Sequence, residues 1–336
     1  RVLMMVFAAI ALNVLAVLPP GYDFSRQRLF PGFDGEYCKI QPAVASDGKG
    51  TALLTYQHLR LSGCDEFYGQ GISMSKDGGR TWSAPKRVEN LPDTWETDEY
   101  RTTYYANPFY HRKSGRFFAL GAGNVYEAKG RTAMSFTGNW APGHKPVEFP
   151  IFVKVDAERG RYDGWKTLDF PHAYYRCMQF GQIVELDNGD MIVPFYYVPA
   201  EATNLFQGVC ITVKYRFAGE AFKIVESGKP VVAPQLARGV GEPSLVRQDG
   251  AYYLTLRSDE QGMFATSRDG LRFSTPQPWK WDDGTLLANR NTQQHWLKVD
   301  GELYLAYTRE DAANGHVFRN RAPVWSAKFD AKRGCL

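Results

Sequence analysis

Ser75-Lys76-Asp77-Gly78-Gly79-Arg80-Thr81-Trp82 is the stretch on which the fold of this chain turns. Each position in it has a separate task. An Asp side chain can hydrogen-bond the backbone two residues on, paired glycines supply positive φ, and the Trp returns to bury against the hairpin it closes. A bare Asp-Gly hairpin would carry far less information than the whole pattern. A shorter echo, Ser267-Arg268-Asp269-Gly270-Leu271-Arg272-Phe273, lacks one residue and has Phe where Trp stood. Two copies of one turn in one chain point to internal repeats.

The repeats emerge when the hairpin signals are placed in order. Ser46-Asp47-Gly48 precedes the apolar stretch Thr51–Tyr56 and then the Ser75 turn. Ser114-Gly115 precedes Arg116–Leu120, with a later turn at Asp156–Gly160. Asp187-Asn188-Gly189 precedes Met191–Tyr196, with Ala218-Gly219-Glu220 after it. Asp249-Gly250 precedes Tyr252–Leu256 and the degenerate turn, and Asp300-Gly301 precedes Glu302–Tyr307 and the turn Asp330–Gly334. Each segment reads strand, tight turn, strand, longer loop, strand, tight turn, strand. That is a four-stranded antiparallel meander, repeated five times at spacings near those of propeller blades. Frequent aromatics, Gly and Pro, with no long stretch of helical apolar rhythm, agree with an all-β chain forming one closed architecture.

The two ends differ from the body. Val2 to Leu18 is almost wholly apolar apart from Asn13, Val14-Leu15-Ala16 offers a plausible cleavage point, and Pro19-Pro20-Gly21 breaks any helix. Residues 1–18 read as a secretory signal peptide, and 19–336 as the propeller; seventeen residues also sit at the lower edge of a membrane span. The absence of an initiating Met and the stop at Cys335-Leu336, inside the last turn of the fifth repeat, suggest a fragment cut at both ends. Cys38, Cys64, Cys177, Cys210 and Cys335 are an odd set. Cys38 with Cys64, or Cys177 with Cys210, could bridge within one blade, and all of them read equally as small buried hydrophobes. No zinc spacing or phosphate-binding glycine loop occurs, so neither metal nor cofactor is expected. The net charge of +4 is mild and no Lys/Arg block exists, which argues against nucleic acid and weakly favours an anionic partner.

The meander with these turns, known as Asp boxes, resembles the sialidase (neuraminidase) superfamily, whose catalytic domain is a six-bladed β-propeller. The resemblance covers most of the chain after about Lys39. It implies a six-bladed propeller with about five blades present, in which Ser75, Asp77, Gly79 and Trp82, and Ser267, Asp269, Gly270 and Phe273, are structural. It is similar to a secreted bacterial sialidase-like branch more than to a proven sialidase. The more specific signal is Gly241-Glu242-Pro243-Ser244-Leu245-Val246, then the Asp249-Gly250 hairpin, then Arg257. Sialidases carry a similar Glu at the start of a blade's first strand and an Arg ending its second. There the Glu is the base for a Tyr nucleophile, and the Arg is one of three that grip the sialic acid carboxylate. The chemistry is coherent: an anionic substrate repels a carboxylate nucleophile, a neutral Tyr attacks while Glu takes its proton, and Arg offers a planar two-bond fork. Without substrate, the same residues read as an ion pair at a blade end.

The resemblance places the acid/base at Asp65, in the loop after the second strand of the first repeat, with Glu66 beside it. The first Arg of the triad sits in a Phe-Arg-Ile-Pro segment in the family; here Cys38-Lys39-Ile40-Gln41-Pro42 stands there, and Lys39 lacks the fork. The third Arg corresponds to Arg319 or Arg321, one facing the mouth and the other away by strand alternation or by closeness to the loop. The nucleophilic Tyr would fall after Leu336. Gln294 and His295 share the frame of Glu242, as do His172 and Arg176 in the third repeat, and such a ring would suit an acidic sugar. Each His reads also as a hydrogen-bonded blade residue.

The expected function is exo-acting glycoside hydrolysis that releases a terminal acidic sugar, with sialic acid foremost, by a secreted or periplasmic monomer with no membrane partner once the signal is cleaved. The alternatives are a uronate-directed lyase or other glycosidase using His172 or His295 with a Tyr, and a non-catalytic glycan-binding propeller, which Lys39 favours.

Overall fold

The computed structural model describes residues 27–60, 67–91, 93–96, 99–127, 148–203, 207–289 and 291–336. The expected signal peptide at 1–18 and the 61–66 loop, with Cys64, Asp65 and Glu66, lie outside the described residues. The chain divides into two compact units, Arg1–Leu168 and Asp169–Leu336.

In the first unit, β1 (Tyr37–Ser46), β2 (Ala52–Arg60), β3 (Phe67–Ser75) and β4 (Lys86–Arg87) form an antiparallel sheet in sequence order. A second meander follows: β5 (Asp93–Glu96), β6 (Glu99–His111), β7 (Arg116–Glu127), β8 (Glu148–Asp156) and β9 (Arg161–Thr167), each pairing with the next. Leu53, Ile72, Ala106, Phe117, Ile151, Val153 and Tyr162 make one core between these two sheets.

The second unit holds three sheets. In the first, β10 (Tyr174–Met178) and β11 (Val184–Glu185) both pair with β12 (Met191–Pro199), which leads to β13 (Val209–Phe217) and β14 (Phe222–Ser227). The next is β15 (Gly241–Gln248), β16 (Ala251–Arg257), β17 (Met263–Ser267) and β18 (Gln277–Pro278), and the last is β19 (His295–Val299), β20 (Glu302–Tyr307) and β21 (Trp325–Lys328). The second strand of a repeat is its most apolar for a physical reason. Ala52–Gln57, Met191–Phe195 and Tyr252–Leu256 are buried on both faces, so they read as continuous runs rather than alternating ones. Outer strands such as β4 and β14 are largely exposed. Between the last two sheets, Trp279, Trp296 and Phe329 pack with centroids 5.3–5.6 Å apart.

The two signature turns close as their residues require. Ser75 Oγ accepts the Gly79 N–H at 2.8 Å and donates to Asp77 Oδ1 at 2.8 Å, while Asp77 accepts from the Thr81 N–H and hydroxyl at 2.8 and 2.6 Å. Gly78 and Gly79 take φ of 74° and 91°. In the shorter turn Ser267 Oγ accepts the Gly270 N–H and Asp269 accepts those of Leu271 and Arg272, with no need of the missing residue.

The described thiols Cys38, Cys177, Cys210 and Cys335 form no disulfide with one another, which corrects the expected Cys177–Cys210 bridge. Cys177 lies on β10 and Cys210 on β13, and β12 runs between them. Two strand spacings are roughly 10 Å, beyond the reach of a disulfide.

Candidate active site

The hairpin of β15 and β16 delivers two charged residues to one sheet end. Its turn uses Asp249 and Gly250 at φ 50° and 75°, the left-handed pair of a tight hairpin. The ladder runs in register from Gln248↔Ala251 to Ser244↔Thr255 and then shifts, so that Gly241 faces Arg257. Glu242 occupies that bulge at φ 45°, immediately before buried Pro243. A non-glycine residue held left-handed costs of order 1–3 kcal/mol and persists where the surroundings fix it, often at functional sites. In the first unit Gln41, preceding Pro42 within the β1 bulge, adopts the same conformation at φ 53°.

Arg257 Nη1 donates to Glu242 Oε1, and Nη2 donates to Asn291 Oδ1. The two side chains are only 19% and 15% exposed, so the ion pair is shielded from water and from salt. The second carboxylate oxygen, Glu242 Oε2, is buried and accepts no hydrogen bond from the described residues. A buried acceptor without a donor is costly, and this one is available to a group that brings a proton. Two neighbours feel the charge of Glu242. Burial pushes the Cys210 thiol well up and Glu242 adds to it, while burial lowers the His295 imidazole and Glu242 partly opposes that. His295 is therefore biased to the neutral form, with Nε2 3.2 Å from Gln293 Oε1.

Gln182 braces this end of the unit. Its Oε1 accepts from Ser244 Oγ at 2.9 Å and from the Trp296 N–H at 2.7 Å, its Nε2 donates to Trp296 O at 2.7 Å, and its own N–H donates to Ser244 Oγ at 3.1 Å. One amide thus joins the segment after β10 to β15 and β19. Adjacent Gly181 lies so close that an added Cβ would stand 2.2 Å from Pro243 O, so the approach requires glycine.

The other anticipated residues divide. Arg321 joins the Glu242 end, donating to Asn291 O at 3.3 Å. Arg319 does not: it sits at φ 54° in a 3-10 turn over Phe318–Asn320, with its guanidinium 4.9 Å from the Phe318 ring. Of the two grounds expected to separate them, strand alternation does not apply, because residues 316–323 form no strand. Gln294 is buried, with Nε2 donating to Thr292 O at 2.5 Å within its own segment and Oε1 without a donor among the described residues. His172 stacks on Tyr197 with centroids 5.7 Å apart and planes 9° apart, within an aromatic cluster that includes Phe170, and Arg176 lies in β10 opposite Val198. In the first unit, Lys39 Nζ pairs with Asp34 Oδ2 at 3.1 Å. The Tyr37 backbone N–H foremost, with Lys39 adding to it, holds the Asp34 carboxyl down at about 2.

Asn291 and Gln182 were not anticipated. Asn291 carried one signal, since it precedes β19 as Glu242 opens β15, and both are left-handed. Gln182 carried none, because its partners are 62 and 114 positions away. Among the described residues no group of three or more His, Cys, Asp or Glu is placed to hold a metal ion, and no helix is long and apolar enough to cross a membrane.

No protein-family profile and no curated protein matches the chain. Solved structures do. Trypanosoma rangeli sialidase aligns with a TM-score of 0.59 at 15% identity, over 88% of this chain and 48% of that one. Hadza microbial sialidase Hz136 aligns at 0.54 and 14% identity, over 81% and 53%. A Dyadobacter fermentans protein of unknown function aligns at 0.57 and 14% identity, over 89% and 80%. The chain spans about half the length of the two sialidases. At this identity the likeness is one of fold, and the fold is that of the sialidase β-propellers.

Proposed function

We propose that this protein is an exo-acting glycoside hydrolase of sialidase type that releases a terminal acidic sugar, sialic acid foremost. The observation that carries the proposal is the shielded Glu242–Arg257 pair, in which one carboxylate oxygen is held by the guanidinium and the other has no donor among the described residues. A carboxylate so fixed is suited to take a proton from a neutral phenol that attacks the sugar, while Arg257 and Arg321 present guanidinium forks to the sugar's carboxylate. In this proposal Asp65 protonates the leaving glycosidic oxygen, and a tyrosine is the nucleophile. Trypanosoma rangeli sialidase has been seen with sialic acid, and with 2,3-difluorosialic acid as a covalent intermediate, which supports the choice of sugar by analogy of fold. The apolar 1–18 segment supports a secreted or periplasmic location, where terminal glycan sugars are accessible.

One observation favours a second reading. Lys39 is already neutralised by Asp34 and offers no planar fork, which suits a propeller that binds acidic glycans without turning them over. Incubation with sialyllactose and a panel of uronate-containing oligosaccharides, read by mass, separates the possibilities. Free sialic acid, lost in Glu242→Gln, supports the hydrolase. An unsaturated, ultraviolet-absorbing product from uronates refutes it in favour of a lyase, and binding without product favours the glycan-binding propeller.

A further inference from the structure

We propose that Asn291 is a positioning residue that sets the two guanidiniums of Arg257 and Arg321 for one carboxylate ligand; this rests on the acidic-sugar reading of the same site. Three of its polar groups are committed to this task. Its side-chain Oδ1 accepts from Arg257 Nη2, its carbonyl oxygen accepts from Arg321 Nη2 at 3.3 Å, and its N–H donates at 2.7 Å to Ser258 O, next to Arg257. Arg257 is thereby held from both terminal nitrogens, Nη1 on Glu242 and Nη2 on Asn291, which fixes the plane of the guanidinium.

The backbone makes this possible. At φ 53° Asn291 turns its side chain to the end of β16 and its carbonyl to Arg321, just after the 3-10 turn, a conformation that Asn adopts more readily than most residues. The identity of the side chain also matters. Asn accepts from Arg257 without carrying charge, so it orients the guanidinium and sets no second carboxylate beside that of Glu242. Asp in the same place would give Arg257 a second anionic partner and compete with an acidic ligand. Preorganised donors of this kind strengthen recognition because they need no rearrangement when the anion arrives.

Two substitutions separate positioning from a structural role. Asn291→Gly keeps the left-handed backbone and the carbonyl and removes the side chain, and with it the Oδ1 that accepts from Arg257. On an arylated sialoside it raises KM about tenfold, the loss expected for one hydrogen bond to a charged group, with kcat within about twofold. Asn291→Asp raises KM further, because a fixed carboxylate competes with that of the substrate. Wild-type KM in both variants overturns the proposal. A crystal structure of Asn291→Gly provides a readout that does not need turnover: the Arg257 guanidinium leaves its pose between Glu242 and residue 291. An unchanged Arg257 overturns the proposal even if the enzyme is active. Wild-type protein silent on every acidic sugar refutes the hydrolase reading instead, and the crystal structure then decides the role of Asn291 alone.

Discussion

Replacing Arg257 by Met should cost far more than removing an exposed charge, and the structure says by how much. Glu242 is 15% exposed, and its described hydrogen bond comes from Arg257, so the variant leaves a largely buried carboxylate without that partner. Breaking a buried pair from one side costs about 3–5 kcal/mol, and some water access places this one near 3 kcal/mol. Glu242→Gln keeps an acceptor for Nη1 but loses the charge, a change of about 1–2 kcal/mol. The double variant removes both charges, so its loss falls short of the sum by a coupling of about 1.5–3 kcal/mol. Urea unfolding followed by tryptophan fluorescence reads all four proteins, because Trp279 and Trp296 are buried in the same unit, at 1% and 2% exposure. A coupling below about 0.5 kcal/mol would be that of an exposed pair, and it would refute the shielded geometry on which the site rests.

Other expectations follow from single features. Gly181→Ala forces a Cβ into Pro243 O and Ser244, destabilising by about 1–3 kcal/mol and displacing the Glu242 bulge, so both the melting temperature and sugar binding fall together. Burial lowers His295 in the folded state, so the unfolded chain binds more protons below pH 6.5, the ordinary histidine value. The stability that His295 contributes is present above that value and is lost as pH falls below it; unfolding curves of His295→Gln show a flatter slope there. His58 shares the sign, its imidazole lowered first by burial and then by Arg87, and remains as an internal reference. Cys177 and Cys210 are fully buried and unbridged, so an alkylating reagent labels both after unfolding without reductant and neither in the native protein.

Much of the fold was legible because its turns carry local chemistry. The Ser75 and Ser267 turns are built from side chains within a few positions of one another, and the hairpin of Asp249 and Gly250 sets the register that brings Glu242 and Arg257 to one end. What depended on distant contacts was not legible. Gln182 acquires its role from Ser244 and Trp296, and Asn291 acquires its role from Arg257 and Arg321. Arg319 and Arg321 were separated by a local 3-10 turn where alternation along a strand or closeness to the loop was expected. The considered Cys177–Cys210 bridge overlooked β12, which a meander necessarily inserts between those two strands. Lys39 shows a different limit: its charge was evident, but its neutralisation by Asp34 follows from a turn that only the structure displays.

The most direct test of the central claim is the rate of arylated sialoside hydrolysis by the purified gene product and by Glu242→Gln, with circular dichroism to show that both are folded. Turnover by the wild type and a loss of at least about 100-fold in kcat for Glu242→Gln, the range of general-base catalysis, is the predicted result. Equal rates in the two proteins would remove Glu242 from the chemistry, and no release by either would contradict the hydrolase.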